Sequence, residues 1–183
     1  KMLTICTNFN QLERVRKICK DNKEIVFAAG IHPNQPEEAL NFDQDKLSNI
    51  CKNRHLVGIG ETGLDFHYSE RTKKQQVFSL IKHIEVAREY NLPVIIHSRD
   101  ADTEIEGILT SEYKKGAFKC VMHCFSSSSY LADAMLELGF YLSMSGIITF
   151  QKSNELRDIF SRVPLNRILI ETDSPYLSPV PHR

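Results

Sequence analysis

The sequence predicts an α/β fold on a parallel sheet, and two features predict it. Seven short apolar runs alternate with segments of helical periodicity, and most of those runs finish on a histidine or an acid. Strand, helix, strand in so regular an order implies right-handed βαβ units. Seven strands of this kind build either an open doubly wound sheet or a (β/α) barrel. At 183 residues the chain is short for a barrel, which typically needs ~250.

In chain order the strand candidates are "MLTICT" (2–7), "IVFAAGI" (25–31), "LVGIGE" (56–61), "PVIIHS" (93–98), "CVMHCF" (120–125), "FYLSMSG" (140–146) and "ILIETD" (168–173). Helices are expected near 10–21, 43–53, 70–91, 102–114, 129–138 and 153–162. The longest puts Val77, Leu80, Ile81, Ile84 and Ala87 at helical spacing. It stops at "YNLP", because proline disfavours helical geometry in the residue before it. No linker or second-domain boundary interrupts 1–183. The chain runs from Lys1 straight into an apolar strand and ends on the proline-rich "SPVPHR". The expectation is therefore one partial domain, lacking a first strand and a C-terminal portion.

Composition narrows the function. Basic and acidic residues balance to a net charge of zero. That argues against a strongly basic protein that wraps nucleic acid, though a local basic patch is compatible with it. No apolar run approaches the ~18 residues of a membrane span, and no signal-peptide pattern opens the chain. Five cysteines without a CxxC pair fit free thiols in a reducing compartment. The cytoplasm is the expected location, and no obligate protein partner is evident.

The strand ends carry the chemistry. His32 follows "AAGI", Glu61 follows "LVGIG", His97 ends "PVIIH", His123 sits in "CVMHCF" and Asp173 follows "LILIET". In a parallel α/β architecture all strand C-termini lie on one side, where ligands bind. Imidazoles and carboxylates converging there form a metal-site constellation. Side chains alternate along a strand. His97 should then share a face with Ile95, Glu61 with Ile59 and Val57, and His123 with Val121. Cys120, Met122 and Cys124 should point the other way, under the outer helices, which argues against a Cys-His zinc knuckle. Glu171, one layer below Asp173, needs a partner: the metal or a ligand histidine. Taken singly, each residue has a structural explanation, such as a hydrogen-bonded histidine or a helix cap; their joint placement is what points to metal. His55, His83 and His182 have no such partners and are read as surface residues, and His67 stays ambiguous.

Six ordered motifs then resemble one family. "GIHP" (30–33), "GIGETGLDF" (58–66), "PVIIHSRDA" (93–101), "HCFSSS" (123–128), "YLSMSG" (141–146) and "ETDSPYLSP" (171–179) are similar to the successive motifs of the TatD-family metal-dependent hydrolases. The resemblance spans essentially the whole chain. It implies a (β/α) TIM-like barrel and a metal-dependent hydrolase, with Mg²⁺-dependent deoxyribonucleases and 3′–5′ exonucleases among its members. It implies Glu61, His97, His123 and Asp173 as metal ligands, with Asp173 as general base and Glu61 able to bridge two ions. It implies His32, Asp65 and Arg99 near the substrate. The family's opening HxH pair is missing, and Ser127 stands where glycine is usual after "HCFS".

The chemistry implied is hydrolysis of DNA or another nucleic acid at a phosphodiester, by water activated on one or two divalent ions. Arg99 would pair with a phosphate in forked geometry. Carboxylates suit Mg²⁺, the expected ion, while two imidazoles also suit Zn²⁺, Mn²⁺ or Ni²⁺. Two alternatives remain: hydrolysis of another ester or amide, such as an aminoacyl-tRNA ester, and a non-catalytic binding protein or catalytically incomplete, inert fragment.

Overall fold

The computed structural model describes residues 1–67 and 70–182; residues 68–69 and Arg183 lie outside it, as does the side chain of Glu70. Seven strands form one sheet in the order β1 to β7: Met2–Cys6, Ile25–Ala29, Leu56–Asp65, Val94–Arg99, Cys120–Met122, Tyr141–Met144 and Ile168–Ile170. Every neighbouring pair is parallel. The sheet curls into a half-barrel with its helices outside, and β1 and β7 are its two edges. Because sequential strands lie side by side and parallel, every strand C-terminus opens on the same side.

Helix α1 (Leu12–Asp21) buries Leu12, Val15 and Cys19 in one stripe, and an Asn8 carboxamide caps the turn leading into it. A short helix, α2 (Pro36–Leu40), escapes the periodicity argument because five residues carry too little pattern. It starts on a proline, which suits a first helical turn. The Asp43 carboxylate accepts from the Lys46 N–H at 2.9 Å and starts α3 (Gln44–Cys51). Helix α4 (Lys73–Glu89) is heavily buried and ends before Pro93, as "YNLP" requires. Helix α5 (Asp102–Lys115) carries Asp102 and Glu104 in its first turn and Lys114 and Lys115 in its last, complementing the helix dipole. The Ser128 hydroxyl caps α6 (Ser129–Glu137), and α7 (Asn154–Arg162) buries Leu156, Ile159 and Phe160. Between sheet and helices lies a continuous apolar core that includes Phe27, Ile59, Ile84, Ile96, Leu109 and Phe140.

Two glycines let β3 lie against β4. Gly60 and Gly63 have φ of 137° and 146°, and a β-carbon there would fall 2.4 Å from the Ile95 carbonyl oxygen and 1.9 Å from that of His97. No larger residue fits either position. The β3–β4 register also shifts between Ile59 and Thr62. A second irregularity, in the β2–β3 pairing, skips Val57 between Leu56 and Gly58, and Ile59 is fully buried while Val57, two residues before it, is 38% exposed. A bulge changes which face the following side chains take, so the parity argument that grouped Val57 with Glu61 does not survive it.

Candidate metal centre

Glu61 sits at the hub. Its Oε1 lies 3.0 Å from His97 Nδ1, 3.4 Å from His32 Nε2 and 3.6 Å from His123 Nε2. His123 Nε2 in turn lies 3.4 Å from Asp173 Oδ1. The residues come from within β3 and β4 and from just past β2, β5 and β7, so the parallel topology brings them together although they are far apart in sequence. His97 and Glu61 lie within their strands. His32, His123 and Asp173 lie just past theirs, and Asp173 has a positive φ of 56°.

The second ring nitrogens are accounted for as well. His97 Nε2 faces Asp65 Oδ2 at 3.1 Å, and His123 Nδ1 faces Glu171 Oε2 at 2.8 Å. Each imidazole therefore has a carboxylate on one nitrogen while the other faces Glu61. A metal-binding histidine is usually held in this way: one nitrogen for the ion, the other donating its proton to a carboxylate. The structure resolves what Glu171 pairs with: the histidine. The other oxygen of Glu171, Oε1, is buried and has no hydrogen-bond partner among the described residues.

His32 is different. Its Nδ1 accepts from the Asn34 backbone N–H at 3.1 Å, so in the neutral ring the proton is on Nε2, which points at Glu61. His32, Glu61 and His97 offer ligand atoms within 4.8 Å of one another. Ligation by His32 Nε2 with Nδ1 already accepting would require the ring to lose both protons. As placed, His32 is a hydrogen-bond donor to Glu61.

The electrostatics follow from this packing. Burial alone would raise the pKa of Glu61, but hydrogen bonds from His32 and His97 and the charge of His123 outweigh it and hold the carboxyl well below the usual range. Burial disfavours a charged His97, yet Asp65 and Glu61 raise its pKa. Burial likewise opposes charge on His123, while Asp173, Glu171 and Glu61 push its pKa up to about 10. Asp65 is lowered: burial opposes the shift, and the hydrogen bond and charge of His97 drive it. Carboxylates in excess around imidazoles that prefer to carry protons are a site where a divalent cation can replace those protons. Together with the unpaired Glu171 oxygen, the donor set fits such an ion.

Other candidate residues fall outside this cluster. Arg99 is exposed and lines an open cavity of about 590 Å³ with Ser98, Asp102, Ser126, Ser128 and Glu155. Asp65, which the resemblance placed near the substrate, is 1% exposed and lies beneath His97. His67 pairs with Asp100 at 2.8 Å. Cys120 and Met122 pack into the core as expected. Cys124 does not: with φ of 44° it turns to Ser145 at 3.1 Å. There burial, with Asp173, Glu171 and Glu61 nearby, pushes its thiol up to about 12.

His83 corrects the sequence reading outright. It is fully buried, not on the surface. Its Nδ1 lies 2.7 Å from the Ser79 carbonyl and its Nε2 accepts from the Ile31 N–H at 3.0 Å. Phe42 packs edge-on against the ring. It anchors the backbone one residue before His32, and burial lowers its pKa to about 4, so it is neutral. The signal was present: His83 lies three residues after Leu80 and one before Ile84, on the apolar side of α4.

Comparisons with known proteins place the chain in a family. The family model described as TatD related DNase matches residues 1–183. An uncharacterized metal-dependent hydrolase of Escherichia coli (strain K12), YcfH, is 41% identical over 181 residues, covering 99% of this chain and 67% of the relative. The 3′-5′ ssDNA/RNA exonuclease TatD of Shigella flexneri serotype 5b (strain 8401) is 29% identical over 97% of this chain and 68% of its own length. Among solved structures, the TatD homologue YJJV of Escherichia coli K12 superposes with a TM-score of 0.87 at 27% identity, covering 97% of this chain and 68% of that one. The chain thus spans about two thirds of the relatives it matches. With its seven parallel strands arranged as part of a (β/α) TIM-like barrel, the chain belongs to the TatD family of metal-dependent hydrolases.

Proposed function

We propose that this protein hydrolyses phosphodiester bonds at a nucleic-acid end, with Glu61, His97, His123 and Asp173 holding one or two divalent ions. The observation that carries this reading is the single oxygen of Glu61 facing three imidazoles at 3.0 to 3.6 Å, with His123 linking it to Asp173. The exonuclease activity named for the Shigella relative supports the substrate class. Mg²⁺ suits the carboxylates, while two imidazoles also admit Zn²⁺, Mn²⁺ or Ni²⁺.

A bound divalent ion supplies two things here: a lower pKa for a coordinated water and charge to offset the phosphoryl oxygens. The chain's own groups do the rest. Asp173, the most exposed carboxylate of the cluster, takes the proton of the attacking water on Oδ1 as the new phosphorus–oxygen bond forms and the bond to the departing oxygen breaks. Asp65 and Glu171 fix the ring orientation of His97 and His123. That replaces the substrate contact the resemblance implied for Asp65, because a residue buried beneath His97 does not reach a substrate. His32 donates to Glu61 from the substrate side. Arg99, in the cavity beside β4, pairs with a neighbouring phosphate. Five free cysteines suit a reducing compartment, which supports a cytoplasmic location. No helix among the described residues is long and apolar enough to cross a membrane.

The test offers a 5′-labelled single-stranded oligonucleotide and an aminoacyl ester to the protein with Mg²⁺, Mn²⁺ or Zn²⁺. Progressive shortening of the oligonucleotide, lost in Asp173→Asn, is the expected result. Cleavage of the ester alone would replace the proposed substrate while leaving the metal centre in place.

A further inference from the structure

The far end of the sheet carries a second feature. Arg16, Lys17 and Lys20 of α1 face Lys52, Arg54 and His55 of the loop between α3 and β3 across a groove of about 710 Å³. This loop leads into the N-terminal end of β3, and the His55 carbonyl accepts from Phe27 of β2. The groove therefore lies at the opposite end of the strands from Glu61 and His97.

Its charge is concentrated. Five permanent cations and one histidine line it, against Glu13 and Asp21. Only Arg16 forms an ion pair, with Glu13 at 2.7 Å; Lys17, Lys20, Lys52 and Arg54 form none among the described residues. The loop is held in place by side chains: Lys52 donates to Asn49, Arg54 to His55, and the His55 N–H to Asn53. Arg16 Nε is buried and lacks an acceptor among the described residues. In a chain of zero net charge, a preorganised cationic groove with an unused donor is an anion site. The metal-bearing end, by contrast, is rich in carboxylates, so its own field repels a polyanion until cations bind.

We propose that this groove binds the phosphate backbone of a nucleic-acid strand, as a second contact remote from the metal centre. Among the described residues no Phe, Tyr or Trp lines it, so bases have no stacking platform and binding is independent of sequence. A concave groove fits a strand, whereas a membrane surface calls for a flat or convex basic face. The choice of nucleic acid rests on the proposed function; the anion site itself does not.

The test is fluorescence anisotropy with a labelled thymidine 20-mer in a chelating buffer, so that neither cleavage nor metal–phosphate contact contributes. Lys17→Glu/Lys20→Glu/Lys52→Glu is compared with a control of equal charge change on other exposed lysines, Lys114→Glu/Lys119→Glu/Lys152→Glu. The groove variant is expected to bind about tenfold or more weakly, with the log–log salt slope reduced by about 2. The control should keep both affinity and slope. If both variants weaken equally, or neither does, the groove is not the site. Should α1 be unsettled by the reversals, the triple Lys→Gln variant must show the same loss in smaller measure. Hydrolysis of a dinucleotide, assayed separately, distinguishes the two claims. A protein that loses binding through the groove yet cleaves no phosphodiester would keep the groove and refute the proposed activity.

Discussion

Glu171 Oε2 stands 2.8 Å from His123 Nδ1, while the opposite ring nitrogen, Nε2, faces Glu61 and Asp173. One histidine thus joins the half-buried Glu171 carboxylate to those of Glu61 and Asp173. Asp65 repeats the relationship on His97.

From that pairing, Glu171→Gln and Asp65→Asn are each expected to weaken metal binding by roughly 10–100-fold with the fold retained. The amide keeps the shape but no longer favours a proton on the ring nitrogen it faces. Metal titration followed by calorimetry, with circular dichroism as the control, checks this. Unchanged affinity in both variants would reduce these carboxylates to structural groups.

Metal uptake should release protons. His123 is pushed up to about 10 and so carries a proton at pH 7.5 in the metal-free protein, and His97 is raised above its ordinary pKa by Asp65 and Glu61. A cation needs the lone pair that such a proton occupies. Apparent affinity should therefore increase with pH across the neutral range. The stability that the raised imidazoles lend the metal-free fold is full below their unfolded pKa of ~6.5 and is lost as pH rises through the folded values. Calorimetry in two buffers of different ionisation enthalpy measures the release, and no release at pH 7.5 would remove His123 from the ligand set.

His83 has the opposite sign. Its folded pKa of about 4 lies below its ordinary value, so the unfolded chain takes up a proton first as pH falls. Stability should drop between pH 6.5 and 4, by about 3 kcal/mol from this residue. His83→Gln, which cannot titrate, should show a shallower pH dependence than the parent in urea unfolding. Its metal affinity should also fall, because the Ile31 N–H that His83 anchors sets the position of His32. Parallel pH profiles for the two proteins would contradict this role.

Much of the fold was legible because alternation of apolar runs and helical patterns reports βαβ order directly. All seven strands occur where the apolar runs stand, although "CVMHCF" pairs only through Met122 before the chain turns. Pro36–Leu40 is too short to show a period. The strand-end histidines and acids were visible as positions, since a parallel sheet puts every strand end on one side. Which nitrogen faces which oxygen was not visible, because that depends on ring rotation and on the β3 register shift. His83 was misread because a lone histidine without a sequence neighbour resembles a surface residue, and its partners, Ser79 on its own helix and Ile31 far away, are known only once α4 packs on the sheet at β3. Cys124 was misplaced by strict alternation, which ends where its positive φ begins.

The most direct measurement is anomalous diffraction from crystals grown with Mn²⁺ or Zn²⁺, recorded at the metal's absorption edge. The expected result is a peak about 2.0–2.2 Å from ligand atoms of Glu61, His97, His123 or Asp173, with Asp65 still on His97 Nε2 and Glu171 still on His123 Nδ1. No peak among these side chains in a fully occupied crystal, or a peak held by other residues instead, would contradict the assignment of this cluster as the metal centre.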